Sequence, residues 1–313
     1  PDRWRVSADG RWRWKGDTSS DQITAHLFGC FFFHELAADD DDRARIRDLV
    51  CRIVDHLIDG GMMLRDLDGQ PTRWGVWSPA RLKHDPNWAS EKGINAVEIL
   101  SYLKLAAHLS GEPKYTAHYQ QLLHEHGYRQ LVLLAKNVNP AARTHIDDEL
   151  LAFAYPALLI LETDGALRRL YRRSFDRWHA AVRDDCQPFF EFLHRGLTGS
   201  PRNWEPSMAS LRDTPLDLIR WETDNSTRED VRQVRAPELE QWQTERLLPP
   251  SERTTFRTDE NPRRTIQGDG GQTESDGVFW LLPYWMGRHF GIIAGEDDPP
   301  PSPRDSTRLE PDR

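Results

Sequence analysis

Residues 18–61 read TSSDQITAHLFGCFFFHELAADDDDRARIRDLVCRIVDHLIDGG, and this stretch decides the fold class. Ile23, Leu27, Cys30, Phe31 and His34 recur at three- and four-residue spacing, which puts them on one face of a helix. Thr18, Ser19 or Ser20 supplies its N-cap, because a short hydroxyl side chain accepts from amides that the first turn leaves open. Asp39 to Asp42 make an acidic turn, and the same carboxylates favour the positive end of a second helix. That helix carries Ile46, Leu49, Val50, Ile53, Leu57 and Ile58 on one face and stops at Gly60-Gly61. Two amphipathic helices joined by a short polar turn form an αα-hairpin.

Outward from this hairpin the pattern repeats in size and punctuation. A third helix is expected from about Asn95 to Leu109, ended by Gly111, and a fourth from Pro113 to about His126, ended by Gly127. Between the two hairpins the period changes. Asp68-Gly69 sits between two short extended runs within Met62 to Pro79, the turn chemistry of a β-hairpin, and a polar loop from Ser78 to Lys92 follows. A fifth helix begins near Asp147, with Pro156 kinking or restarting it, and a sixth spans about Ala166 to Val182. Shorter helices are expected over Gln187–Leu197 and Pro215–Trp221. Residues 225–277 are polar, with little periodicity, and a loop this long is either functional or disordered. Val278 to Ile293 reads as a closing core helix.

These readings give a mainly α protein in three parts. Residues 1–16 alternate aromatic and charged side chains around Asp9-Gly10 and form a hairpin or extended arm. Residues 17–293 form the helical-hairpin domain, and residues 294–313 form an acidic, Pro-rich tail expected to be disordered. The net charge of −9 argues against a nucleic-acid partner, whose backbone attracts basic surfaces. Cys30, Cys51 and Cys186 are odd in number and form no CxxC, which argues against a disulfide framework or a cysteine-based zinc site. No run reaches the roughly 18–20 apolar residues of a membrane span. The first fourteen residues contain no apolar signal-peptide core, so the compartment stays open.

Four polar clusters interrupt the helices. The first holds Asp17 and Asp21, four residues apart across a helix start, where they serve as caps or as a general acid/base or metal-binding edge. The second gathers Arg73, Trp74, Trp77, His84, Asp85, Trp88 and Asn95. Flat indole faces among guanidinium and carboxylate groups suit sugar rings, although tryptophans also plug hairpin ends. In the third, His145 and Asp148 form an i, i+3 pair that can fix an imidazole tautomer, beside acids that complement a helix dipole. The fourth contains Arg220 and Asn225, then Gly268, Gly270 and Gly271, which match no phosphate loop. Asp269, Glu274 and Asp276 offer Ca²⁺ ligands without EF-hand spacing, and no other cofactor is indicated. No HExxH, GxSxG or GxGxxG is present, which sets aside zincins, α/β-hydrolases and Rossmann enzymes.

The succession of hairpins with tryptophans and carboxylates in the end loops, from Asp17 to Ile293, resembles the six-hairpin (α/α) toroid enzymes. These include glycoside hydrolases, polysaccharide lyases and related epimerases. The resemblance implies a toroid-like barrel with its site where the loops converge, taking a small-molecule or oligosaccharide ligand. In a hydrolase two carboxylates, among Asp17, Asp21 and Asp148 with His145 beside them, would flank the bond. In a uronate lyase, His145, Asn95, Arg73 and Tyr155 would serve instead. The competing expectation is a non-catalytic glycan-binding module or a helical scaffold. A cyclase-like toroid acting on an apolar substrate would need an aromatic-lined apolar cavity and a DxDD-type acid, and neither is evident.

Overall fold

The computed structural model describes residues 4–136, 145–200, 202, 204–236 and 241–295. From residue 296 onward, the tail expected to be disordered lies outside the described residues. Among those described, the chain is mainly helical, with small antiparallel strand pairs. None of its helices is long and apolar enough to cross a membrane. Contacts divide the chain into two units, Pro1–Ala135 with Phe153–Ser174, and Lys136–Ala152 with Phe175–Arg313.

In the first unit, β1 (Trp4–Val6) and β2 (Arg13–Lys15) pair as the hairpin expected around Asp9-Gly10. Arg5 reaches Asp66 at 3.7 Å, and the Asp17 amide donates to the same carboxylate at 3.1 Å. Helix α1 (Ser20–Leu36) begins at Ser19, whose N–H and hydroxyl both donate to Gln22 Oε1 at 2.9 Å. Its buried face is Thr24, Leu27, Phe28 and Phe31, so Ile23, Cys30 and His34 flank the core instead of facing it. Phe28 accounts for the rotation, because its ring packs against Phe32 and Phe153 at 4.9 and 4.8 Å.

Helix α2 (Asp40–Asp59) is capped by Asp39, which accepts from the Asp42 amide, and buries Ile46, Val50, Val54 and Leu57. Strands β3 (Met63–Arg65) and β4 (Pro71–Val76) form the expected hairpin around Asp68-Gly69, and α3 (Pro79–His84) follows. Helix α4 (Lys92–Ser110) is buried continuously from Gly93 to Leu103, and it packs against α1, α2, α5 (Pro113–His124) and α6 (Tyr128–Val132). Each Leu or Ile it encloses contributes about 1.5–3 kcal/mol. Gly93 lets α4 start in close contact with the chain beyond α6: a Cβ there would lie 2.1 Å from the Leu134 carbonyl oxygen.

Helices α7 (His145–Leu161) and α8 (Gly165–Val182) contribute to both units. Helix α7 continues through Pro156, where the ring removes a single amide donor without a restart. Asp164 caps α8 by accepting from the amides of Ala166 and Leu167, both at 2.8 Å.

In the second unit, α9 (Pro188–Thr198) packs against α10 (Glu205–Asp213) and α11 (Val278–His289). Phe192, Met208 and Leu211 form their shared core, covered by Trp204, Trp280 and Tyr284. The helix expected over Pro215–Trp221 is absent. Proline at 215 pushes Thr214 to extended ψ 125, and Ile219 pairs with Glu274 as an isolated bridge. The described residues of the polar segment 225–277 are tied by short pairings: β5 (Thr223–Asp224) with β8 (Ile266–Gln267), and β6 (Gln233–Ala236) with β7 (Gln241–Thr244). Strands of two to four residues are too short to show a period. Helix α11 stops at His289, and the amides of Ile292 and Ile293 fold back onto the Gly287 carbonyl.

His179 of α8 and His194 of α9 stack inside this unit with ring centroids 3.7 Å apart and planes 7° from parallel. His179 Nε2 meets Glu191 Oε2, and His194 Nε2 meets Asp176 Oδ1, each at 2.9 Å. Burial pushes His194 down to about 4, and His179 adds to the fall while Asp176 and Glu191 oppose it. Burial works against the Glu191 charge, but the His179 bond holds its carboxyl below the usual range. Between pH 6.5, the ordinary imidazole value, and about 4, the unfolded chain therefore binds the His194 proton more tightly than the folded chain. The stability is present above 6.5 and is lost as the pH falls toward 4. The expected loss is on the order of 2–3 kcal/mol. Urea midpoints measured across this range should fall with acidification, and His194→Gln should flatten the profile. A wild-type midpoint that stays level would refute the account.

Candidate functional site

The segment of the second unit between α10 and α11 encloses a cavity of about 220 Å³ lined by Arg220, Arg253, Arg257, Trp221 and Asp217, with Ser251, Thr254, Thr255 and Ser275. Its three arginines are held differently. Glu260 Oε1 lies 3.2 Å from Arg220 Nη2 and 3.6 Å from Arg257 Nε, so one carboxylate tethers both, and the Thr255 hydroxyl fixes its other oxygen at 2.6 Å. Arg257 also pairs with Asp259 at 2.7 Å, and that bond raises its pKa further while burial opposes. Its guanidinium lies over the Phe279 ring at 4.8 Å.

Arg253 is the exception. It is only 8% exposed, and among the described residues no carboxylate lies within ion-pair distance of it. Nε donates to the Leu248 carbonyl at 2.6 Å and Nη2 to Ser210 Oγ at 3.4 Å. Burial pushes this guanidinium down to about 10, with Cys186 and the more distant Asp185 and Asp213 opposing the fall and Arg263 adding to it. It stays charged at neutral pH, so an anion entering the cavity would meet a cation already stripped of water.

Trp221 forms one wall and is half exposed. Its indole N–H donates to Asp217 Oδ2 at 3.0 Å. The Ile219 amide and this indole hold the Asp217 carboxyl below the usual range, so it is an anion with one hydrogen bond to each oxygen. The glycines singled out in the sequence seat this wall. Gly271, at φ +82, lies against the ring, and a Cβ there would fall 2.6 Å from Trp221 Cζ3.

The residues singled out in the sequence fall into separate groups. In the first unit, Asp17 Oδ1 accepts from the Arg73 amide at 2.7 Å. The Arg73 guanidinium covers one Trp74 face at 4.7 Å, and Trp88 meets Trp74 edge-on at 6.1 Å. These four therefore gather at the surface. Asp21 lies beside the Ser20 hydroxyl at 3.4 Å, and Asp85 accepts from Asn87 N and Arg81 at 3.0 and 2.8 Å on the segment that carries exposed His84. Trp77 and Asn95 belong to the core: the Trp77 indole donates to Glu98 at 2.8 Å, and Asn95 Nδ2 to the Val76 carbonyl at 2.7 Å. Tyr155 is buried against the Ser174 hydroxyl at 2.8 Å.

In the second unit, Arg220 lines the cavity. Asn225 is buried beside it as a brace, with Nδ2 donating to the Glu252 carbonyl at 2.8 Å. His145 opens α7 and is half buried. Asp148 is enclosed, and its Oδ1 receives Lys136 Nζ at 2.5 Å and the Trp178 indole at 3.1 Å. Sequence reasoning missed Arg253 and Arg257. The only signal was the improbable length of the polar segment that holds them, and that marks no residue. The Ca²⁺ candidates do not form a ligand set: Asp269 accepts from the Gln272 and Thr273 amides, and Asp276 from Val278. Among the described residues, the group of three or more metal-ligating side chains is His34, Glu35 and His108. All three cysteines are free and half buried.

No family model, curated protein or solved structure matches this chain.

The enclosed pair makes a stability prediction. Asp148→Asn removes the carboxylate facing a buried ammonium and is expected to lower the unfolding free energy by about 3–5 kcal/mol. Adding Lys136→Met should restore most of the loss in chemical denaturation, because the uncompensated charge leaves with it. Equal losses in the single and double variants would show that Asp148 stabilises the fold in some other way.

Proposed function

We propose that the arginine-lined cavity of the second unit binds an acidic sugar residue, by its carboxylate and by one ring face. The observation that carries this reading is Arg253, a buried guanidinium without a carboxylate in ion-pair range among the described residues, lining a cavity that also holds Arg220 and Arg257. Guanidinium groups bind carboxylates with paired, charge-assisted hydrogen bonds. The Trp221 indole offers a flat apolar wall for the C–H face of a ring, and the surrounding serine and threonine hydroxyls match a hydroxylated ligand. At about 220 Å³ the cavity is smaller than the roughly 300–1,000 Å³ of sites for drug-sized ligands, so it takes one ring or an acidic chain end.

Catalysis is the second reading. Glycoside hydrolysis takes two carboxylates, and Asp217 is the one among the lining residues. Its depressed pKa makes it a weak base for uronate elimination, so the geometry favours binding over turnover. An (α/α) toroid arrangement of the hairpins belongs to the same proposal, and it is supported by the helix pairs α1–α2 and α4–α5.

Calorimetric titration with uronate oligosaccharides, and with the same oligosaccharides after carboxyl reduction, tests the proposal. Binding should fall at least about tenfold on reduction, and Arg253→Met should abolish it. Trp221→Ala should cost about 1–3 kcal/mol if its ring stacks as aromatic platforms do. New reducing ends or unsaturated products would move the reading to catalysis. Equal affinity for acidic and reduced sugars, or none for either, would refute it.

A further inference from the structure

A second cluster lies in the first unit, where the last turns of α1 and α4 meet. His34 Nδ1 and His108 Nε2 converge on one oxygen, Glu35 Oε1, at 2.8 and 3.0 Å. All three candidate ligand atoms lie within 4.8 Å of one another. We propose that His34, Glu35 and His108 form a binding site for a divalent transition metal of the zinc class.

The donor set selects the metal. Two imidazole nitrogens and one carboxylate oxygen suit zinc and its first-row neighbours, whereas Ca²⁺ and Mg²⁺ take oxygen ligands. A metal about 2.0–2.2 Å from each donor holds them roughly 3–3.5 Å apart. The two nitrogen–oxygen separations, 2.8 and 3.0 Å, are already close to that span, so small side-chain rotations complete the set. The donors sit on packed helices, since α1 contacts α4 directly, which fixes their spacing better than a loop would. Their side chains are between 19% and 37% exposed, so an ion can enter without the core opening.

His108 also lines a cavity of about 220 Å³ with Lys104, Thr116, Tyr119 and Gln120. Three protein ligands leave a coordination position open, as in catalytic zinc sites. The cavity gives a water or a small oxyanion room beside His108 to occupy that position. Lys104, one helical turn before His108, lines the same cavity, with its ammonium held by Glu162 at 3.1 Å.

The test is a titration of the tag-free, chelator-stripped chain with Co²⁺ alone. Visible d–d absorption should saturate at one equivalent and be lost as Zn²⁺, a d¹⁰ ion that takes the same nitrogen and oxygen donors, displaces Co²⁺. His108→Ala and Glu35→Gln, each confirmed folded by circular dichroism, should weaken Co²⁺ binding at least about tenfold. No saturable absorption, or titrations unchanged in both folded variants, would overturn the proposal.

Discussion

A helix enclosed on every side cannot send its polar side chains to water, and the first unit is organised around that constraint. Helix α4 carries Asn95, Glu98 and Ser101 through a core of Ile, Leu and Ala, with half-buried Lys104 just beyond them, and each of the four reaches a partner inside the protein. Asn95 holds the end of β4, Glu98 takes the Trp77 indole and the Thr24 hydroxyl, and Lys104 meets Glu162 at 3.1 Å. A buried polar group without a partner costs about 1–3 kcal/mol, so each of these bonds specifies which neighbour packs where. The apolar surface drives the unit together, and the polar stripe along α4 selects its arrangement.

Among the described residues, the second unit buries Lys136 and Arg253 and treats them oppositely. Lys136 faces Asp148, both are almost fully enclosed, and the Trp178 indole adds a donor to the same carboxylate oxygen. Arg253 meets only a carbonyl and a hydroxyl. Lys136 has its counter-charge built into the fold, whereas Arg253 lies beside the cavity with neutral acceptors. Glycines shape the cavity wall at Trp221. They allow the backbone to approach the indole closely and keep that wall in place with no side chain intervening.

Local rules made the hairpins legible. The Ser19 cap, the acidic turn at Asp39 and the Asp68-Gly69 turn depend on residues within four positions of each other, and all appear where the spacing puts them. Contacts between distant residues were hidden. The Phe28 side chain turns the core face of α1 by meeting Phe153, which no spacing within α1 reveals. Asp148 reads as an acid at a helix start, yet Trp178, thirty residues later, helps to enclose it. Arg253 was missed for the same reason. Its lack of an ion-pair partner depends on how close acids come in three dimensions, where Asp185 and Asp213 act on it only from beyond ion-pair distance, whereas the sequence around it contains acids in plenty.

Hydrogen counting gives the Tyr119 cluster a direction. Tyr119 donates its one hydroxyl hydrogen to Glu162, whose carboxyl is kept ionised, against the pull of burial, by Tyr119, the Asp164 amide and Lys104. The close contact between Tyr119 and Tyr171 therefore runs one way, with Tyr171 as donor and Tyr119 as acceptor. The relay points from α8 through α5 to a single anion, and its members are unequal. Loss of the Tyr171 hydroxyl removes only the outermost hydrogen. Loss of the Tyr119 hydroxyl leaves a stranded donor on one side and an under-solvated carboxylate on the other.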